Sequence, residues 1–347
     1  MKLRSHKEDK LAKLYDAEIL PVWSRRFGRL LLRDLALPPK AMVLDVACGT
    51  GYPALDILRK LDADGRIIAI DASSPMLDEA RVKAGRLSGK RIFFRSETAT
   101  PKLAFADDVY DMVVCNAALD EIDDSERAIG EFTRVAKPGG RVVVTMPLSG
   151  TFAEFHDLFR EVLSKLDNHE AIDRLDEYLV RYPPLEQLEA WFEDAGLVDL
   201  KTEYDTFTLL FKSSREFFFA PVIEYGPLNH WKAIAGKGQK MQDAFWHAKE
   251  SIDAYFQGRP FAVTVHVGCV RGRKPTLEEA RQHQRPMAPE PAGREPSAPV
   301  APIDEDELPT GEVELVTGDF DVIADEKQRE LAQVDGVDED DIEEPIL

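Results

Sequence analysis

The stretch Val43-Leu44-Asp45-Val46-Ala47-Cys48-Gly49-Thr50-Gly51 decides how this chain folds. Val43 to Val46 is a run of aliphatic side chains around one carboxylate, which predicts a strand buried on both faces. Ala54 to Leu61 follows with helical spacing, so the glycines stand at a strand-to-helix turn. Such a turn needs positive φ, and a ligand can approach the main chain only where no Cβ intervenes.

Outward from this turn the same grammar repeats. Arg66-Ile67-Ile68-Ala69-Ile70-Asp71 is a second apolar run ending in a carboxylate, where nucleotide-binding folds keep their acceptor for ribose hydroxyls. Ser74-Pro75 reads as an N-cap followed by proline at the first helical position. Tyr110 to Asn116 reads as another strand, and Lys137-Pro138-Gly139-Gly140 is predicted to end a helix before a strand from Arg141 to Thr145. Helices starting near Ala54, Ser74 and Ser125 are spaced for right-handed crossovers, which makes the sheet parallel.

Two cofactor readings compete for the turn. Gly49-Thr50-Gly51-Tyr52-Pro53-Ala54 satisfies the G-x-G-x-x-A form of a dinucleotide fingerprint, so an NAD-dependent oxidoreductase is one alternative. Against it, the charge of Asp45 disfavours a nearby pyrophosphate and suits a cationic ligand. S-adenosylmethionine, with ribose hydroxyls, a sulfonium and no phosphate, meets that requirement.

Asp45-Val46-Ala47-Cys48-Gly49-Thr50-Gly51, Asp71, the stretch Phe105-Ala106-Asp107-Asp108-Val109-Tyr110-Asp111 and Arg134-Val135-Ala136-Lys137-Pro138-Gly139-Gly140 together resemble a class I S-adenosylmethionine-dependent methyltransferase. The likeness is to the ubiquinone/menaquinone C-methyltransferase group, close over residues 12–147 and loose over 148–273. It implies an α/β, Rossmann-like fold with a seven-stranded, mostly parallel sheet, helices on both faces and a helical cap; the disordered acidic C-terminal tail, residues 275–347, is read from composition and has no counterpart in the likeness. The likeness also implies that Asp45, Ala47, Gly49 and Gly51 wrap the methionine part, that Asp71 and Ala72 meet the ribose, and that Asn116 and Ala117 run beside the methyl group. The third strand departs from the pattern. Relatives carry an acid there for the adenine amino group, whereas this chain has Glu97-Thr98-Ala99-Thr100. Either Glu97 substitutes through a shifted turn, beside Thr98, or main chain alone holds adenine, at a cost of about 1.5 to 3 kcal/mol.

Residues 1–38 read as a helical segment over the cofactor. Leu11, Leu14, Ile19, Val22, Phe27, Leu30 and Leu31 recur at spacings near 3 and 4; the resemblance implies that such a helix lies over the cofactor, with Tyr15, Trp23, Arg25 and Arg26 as candidates to face it. Residues 39–274 form the methyltransferase domain. Within it Thr151 to Trp191 is read as helical throughout, a cap insertion at about 150–195 whose phenylalanines suit an apolar or aromatic acceptor. Leu200 to Phe211 and Phe261 to Val270 complete the sheet, one of them antiparallel. The loop between them carries Tyr225, His230 and Trp231.

Composition bounds the rest. From Pro275 to Leu347 there are 22 acidic and 5 basic residues, −17 of the total −20, so residues 1–274 carry only −3. A proline-punctuated acidic segment cannot bury enough apolar surface to order itself, and its charge excludes phosphate backbones. The apolar islands Glu312 to Val316 and Asp341 to Leu347 leave room for a protein partner, and a non-catalytic assembly module is the other alternative. The charged start and the lack of an 18-residue apolar run point to a cytoplasmic protein without a membrane span. Cys48, Cys115 and Cys269 have no metal-ligand spacing and read as reduced thiols, so no metal is expected. If the small-molecule acceptor must lose a proton, His156 and His230 are the candidate bases, with Tyr182 and Tyr225 behind them; Asp120 and Glu121 stand at the carboxyl end of the fourth strand, where open α/β sheets bind ligands, but loop acids are more often solvated.

Overall fold

The computed structural model describes residues 6–99 and 102–283. Strands β1 (Met42–Val46), β2 (Arg66–Asp71), β3 (Ile92–Ser96), β4 (Tyr110–Asn116), β5 (Ala136–Pro147), β6 (Val198–Phe211) and β7 (Phe261–Arg273) make one sheet in the order β3-β2-β1-β4-β5-β7-β6. β1 to β5 are parallel, with Leu44 opposite Ile68 and Val113, while β7 runs antiparallel to both β5 and β6. Side chains of a strand alternate between faces. Val43, Ile67 and Val114 therefore enter one core cluster while Leu44, Val46 and Val113 enter the other, and all six are fully buried. Both faces are covered, which is why these strands are continuously apolar.

Before the sheet come α1 (His6–Leu14), one π-helical turn (Tyr15–Ile19) and α2 (Ser24–Leu31). The crossovers use α3 (Ala54–Lys60), α4 (Ser74–Ala84) and α5 (Ser125–Val135). Between β5 and β6 lie α6 (Ala153–Lys165), α7 (His169–Leu179) and α8 (Leu185–Asp194). Between β6 and β7 lie α9 (Ser214–Phe219), α10 (Pro221–Glu224), α11 (Leu228–Ala235) and α12 (Gln239–Phe256), and α13 (Leu277–His283) follows. One face of the sheet carries α3, α6 and α12 through Ile57, Phe159 and Ile252; the other carries α5 and α8 through Phe132 and Phe192. The chain leaves β1 for β2 on one side and returns to β4 on the other, so a crevice opens beyond the carboxyl ends of these strands.

Several boundaries differ from the sequence reading. The N-cap of α4 is Ser73, not Ser74: its backbone is extended (φ −90, ψ 106) and its Oγ accepts from Met76 N at 3.5 Å. Two adjacent serines offer the same hydroxyl, and only the backbone angles choose between them. Lys137-Pro138-Gly139-Gly140 does not separate helix from strand. α5 ends at Val135 and β5 begins at once, with the four residues forming a bulge against Tyr110 and Met112. Gly139 takes φ 78, and a Cβ on Gly140 would stand 2.8 Å from the Lys137 carbonyl, so the bulge needs both glycines. The helical run Thr151 to Trp191 is divided among α6, α7 and α8.

His230 and Trp231 lie on α11, not in a loop. The region after 274 also starts differently from the expected tail, since α13 is capped by Thr276 and Arg273 grips Glu279 through two nitrogens at 2.8 and 2.9 Å. The acidic tail beyond 283, with both apolar islands, and Thr100 lie outside the described residues. Among the described residues no helix is long and apolar enough to cross a membrane.

Candidate active site

The glycine turn is held by carboxylates of its own chain. Asp71, at the end of β2, accepts from Gly49 N with Oδ2 and from Ser73 N with Oδ1, both at 2.8 Å. Asp45 lies beneath the turn, fully buried, and its Oδ2 accepts from Ala54 N at 3.1 Å. Burial raises the pKa of both acids; at Asp71 the two amide bonds oppose the rise, and at Asp45 the charge of Asp71 adds to it. Gly51 (φ 96) lies between α3 and α4, where a Cβ would meet Leu55 of α3 and Ala80 of α4 at 3.2 Å.

A cavity of about 340 Å³ opens above this turn. Ala47, Gly49 and Asp71 form one wall, Ala117 stands beyond β4, and Tyr15 on the π-helical turn forms the roof. Tyr15 is tied down by a 2.7 Å bond between its hydroxyl and Ser24 Oγ. The same π-helical turn is anchored by Asp16, which accepts from Thr50 Oγ1 at 2.6 Å and pairs with Lys83. Asn116 binds these parts together without lining the cavity: its amide donates to Ser24 O at 3.1 Å and its oxygen accepts from Thr145 Oγ1 at 2.9 Å.

The opposite end is aromatic. Trp23 stacks on Phe152, with ring centroids 5.9 Å apart, and both line the cavity with Tyr178, Tyr182, Tyr225 and His230. Phe152 holds left-handed backbone (φ 60) to reach this place at the start of α6. The cap expected at 150–195 supplies only part of this wall; Val222, Tyr225 and His230 come from the later insertion. Trp23, expected to face the ligand, lines the cavity, whereas Arg25 and Arg26 do not, and Arg26 sits over the Phe207 ring.

Residues 5–212 match the ubiE/COQ5 methyltransferase family. The chain belongs to that family. This ubiE/COQ5 methyltransferase is similar to the demethylmenaquinone methyltransferase of Staphylococcus aureus, 26% identical over 206 residues that cover 57% of this chain and 83% of that protein. Its fold resembles YcgJ from Bacillus subtilis (TM-score 0.48, 19% identity, 72% of this chain and 99% of that one). It also resembles Haemonchus contortus phosphoethanolamine N-methyltransferase 2 in complex with S-adenosyl-L-methionine (0.43, 19%, 73% and 53%).

The chain is an S-adenosylmethionine-dependent methyltransferase, so the nicotinamide reading is set aside. The structure supplies the reason. Amide N–H groups that would cradle a pyrophosphate are occupied, Gly49 N by Asp71 and Ala54 N by Asp45. The cavity suits the methyl donor instead: a Cβ on Gly49 would lie 3.7 Å from the Tyr15 ring and fill the gap between turn and roof.

Not every expected contact of this methyltransferase reaches the cavity. Asp45 does not line it; it lies beneath the turn, where Oδ2 accepts from Ala54 N and Oδ1 is buried without a partner. Ala72 and Thr98 are exposed and also lie off the wall. Glu97 is turned away: Oε1 accepts from Ala104 N at 2.7 Å and Oε2 lies 3.1 Å from the Arg95 guanidinium. Its carboxylate organises the loop before β4, so of the two options for adenine the shifted-turn acid is the one the geometry disfavours. His156 is a core residue rather than a base at the cavity mouth. It is 3% exposed, and its Nε2 accepts from Trp231 Nε1 at 3.1 Å. Among the described residues no cluster of His, Cys, Asp or Glu is placed to hold a metal ion. The three thiols are buried and free, and burial pushes each upward.

Asp120 is the cavity residue that the sequence reading set aside. Its side chain is 8% exposed, Oδ1 has no hydrogen-bond partner, and burial, with Glu121 beside it, raises its pKa to about 7. Nothing in a loop reading Asp120-Glu121-Ile122-Asp123-Asp124 marks the first acid as the buried one.

His156 gives a pH test of the core. Burial lowers its pKa to about 3, with Arg160 adding to the effect, against about 6.5 unfolded. The folded state therefore takes up the proton later than the unfolded chain, and stability present above about pH 6.5 is lost as pH falls toward 3. In His156→Gln this loss is expected to vanish. The wild-type advantage in urea unfolding should shrink by about 1.4 kcal/mol per pH unit below 6.5. An advantage that stays constant from pH 7.5 to 4.5 would contradict the neutral, indole-bound histidine.

Proposed function

We propose that this chain transfers a methyl group from S-adenosylmethionine to a flat, apolar aromatic small molecule, of the class of a reduced naphthoquinone. The observation that carries the reading is one shared cavity: the Asp71-bearing turn borders it at one end, and Trp23, Phe152, Tyr178 and Tyr182 border it at the other. Apolar pockets with a few placed polar groups select aromatic ligands by shape and burial. The similar Staphylococcus aureus protein is named for demethylmenaquinone, a naphthoquinone, which supports the same class.

When bound, the cofactor supplies an electrophilic methyl on a sulfonium that leaves as a neutral thioether. Asp71, with one lone pair of each oxygen used by the turn, has the others for the ribose hydroxyls. Ala47 and Gly49 offer bare main chain, and Ala117 stands beside the transferring group. Tyr15 roofs the cofactor half and excludes water. The aromatic wall holds the acceptor against the donor, and holding the reacting atoms about 3 to 3.5 Å apart supplies much of the rate.

The test is release of S-adenosylhomocysteine, measured by mass spectrometry, with short-chain demethylmenaquinol kept reduced by dithionite, and with phosphoethanolamine as the polar comparison. Turnover of the quinol alone is expected. Turnover of the polar acceptor alone, or of neither by protein that binds the cofactor, would overturn the reading.

A further inference from the structure

We propose that Asp120 is the catalytic base of the acceptor half, taking the proton that a hydroxyl-bearing aromatic acceptor loses as the methyl arrives. The proposal rests on the aromatic-acceptor reading above and adds to it a residue, an atom and a requirement for a hydroxyl. Asp120 lies in the 3-10 turn Leu119–Glu121 just past β4, where an open α/β sheet presents groups to its ligand. Its side chain is more than nine-tenths buried, lines the cavity, and leaves Oδ1 unpartnered. A buried carboxylate oxygen without a donor is costly, and an acceptor hydroxyl would supply that donor.

The groups around it fit a proton acceptor. Arg181 is near: its Nη2 donates to the Asp120 carbonyl and to Glu121 Oε1, both at 2.8 Å, and lies 3.7 Å from Asp120 Oδ2, while its buried Nε has no partner. Tyr178 and Tyr182 bond to each other at 3.2 Å, burial keeps both phenols protonated, and Arg181 lies over both rings. His230 faces the site from α11 with its pKa lowered by burial and by Arg181, and Cys115 below is a protonated thiol. Glu121 and burial hold the Asp120 carboxyl near neutrality, close to the optimum for a base. Asp120 also lines an outer groove of about 660 Å³ with Glu121, Asp123 and Glu126, so the proton has a way out to water.

The step balances. The acceptor O–H gives its proton to Asp120 Oδ1, and the oxygen, or the ring carbon it activates, forms a bond to the methyl carbon. The S–C bond breaks with its electron pair left on sulfur. For a ring carbon, the displaced C–H proton returns to the oxygen, and Asp120 releases the proton it took through the groove.

Two readouts test the assignment. With the reduced naphthoquinol, wild-type kcat should rise with pH through one ionisation near neutrality. Asp120→Asn should lose at least a hundredfold in kcat and lose that limb, while S-adenosylmethionine affinity by calorimetry stays within threefold. A variant that keeps the limb and kcat within threefold of wild type overturns the proposal. Should the wild type turn over no naphthoquinol, the choice of acceptor fails, and binding to the S-adenosylhomocysteine complex decides the role of Asp120. 4-Nitrophenol should then bind about tenfold or more tighter than 4-nitroanisole, and Asp120→Leu should abolish that preference. An equal preference in wild type and variant overturns it.

Discussion

Asp71→Ala is expected to weaken S-adenosylmethionine binding by about a hundredfold to a thousandfold in calorimetric titration, with the protein still folded. Both oxygens of Asp71 already accept a main-chain N–H, from Gly49 and from Ser73, each at 2.8 Å. Hydrogen bonds to a charged group contribute about 1.5 to 3 kcal/mol each. Removing them frees the turn whose bare Gly49 faces the cavity, and removes the proposed partner of the ribose hydroxyls. Losing even two such interactions approaches about 3 to 4 kcal/mol, and each 1.4 kcal/mol is tenfold in affinity. Asp71→Asn keeps the shape but can point an NH2 at an N–H donor, so most of the loss should persist. Affinity within threefold of wild type in Asp71→Ala would show that the turn and the ribose are held by other groups.

Trp231→Ala should bring the largest loss of stability of any single change considered, about 3 to 5 kcal/mol in urea unfolding. The indole is fully buried, its centroid lies 4.1 Å from that of Phe155 and 5.9 Å from that of Phe217, and its N–H reaches His156. Truncation leaves a cavity among rings and an imidazole nitrogen without its donor. Trp231→Phe keeps a ring but leaves the same nitrogen unpaired, and about 1 to 3 kcal/mol is expected. A loss below 1 kcal/mol in the alanine variant would mean that this aromatic core is not cooperative. The function is coupled to it, because α11 carries His230 to the cavity one residue before Trp231, and Phe152 touches both Trp231 and Trp23.

Much of this architecture was legible in local pattern. Leu44 and Val46 alternate with Val43 between two buried faces, so an unbroken apolar run could only be a central strand. The starts of α3 and α5 followed from helical spacing, and α5 is capped by Asp124, which accepts from Arg127 N at 3.0 Å. The π-helical turn before Pro21 and the bulge at Gly139 were not legible in the same way. The π-helical turn depends on what the chain packs against, and the glycines at 139 and 140 permit a bulge as readily as the helix stop that the sequence suggests.

Site residues divide along the same line. The positions of Gly49 and Asp71 beside one another are a local consequence of adjacent parallel strands ending together. The burial of His156 and of Asp120 was not legible, because each depends on partners remote in sequence. His156 meets an indole 75 residues away, and the arginine beside Asp120 is 61 residues away. Asp120, Asp123 and Asp124 are equivalent letters in the sequence, and only the packing of Tyr178, Tyr182 and Arg181 removes water from one of them.

The amino-acid order alone thus determined the parallel strands and the glycine turn between β1 and α3, because periodicity and backbone freedom act between near neighbours. Only the tertiary structure decided which aromatic rings face the cavity, which histidine is core and which carboxylate stands unpaired there. Desolvation and hydrogen-bond pairing are properties of surroundings that distant segments assemble.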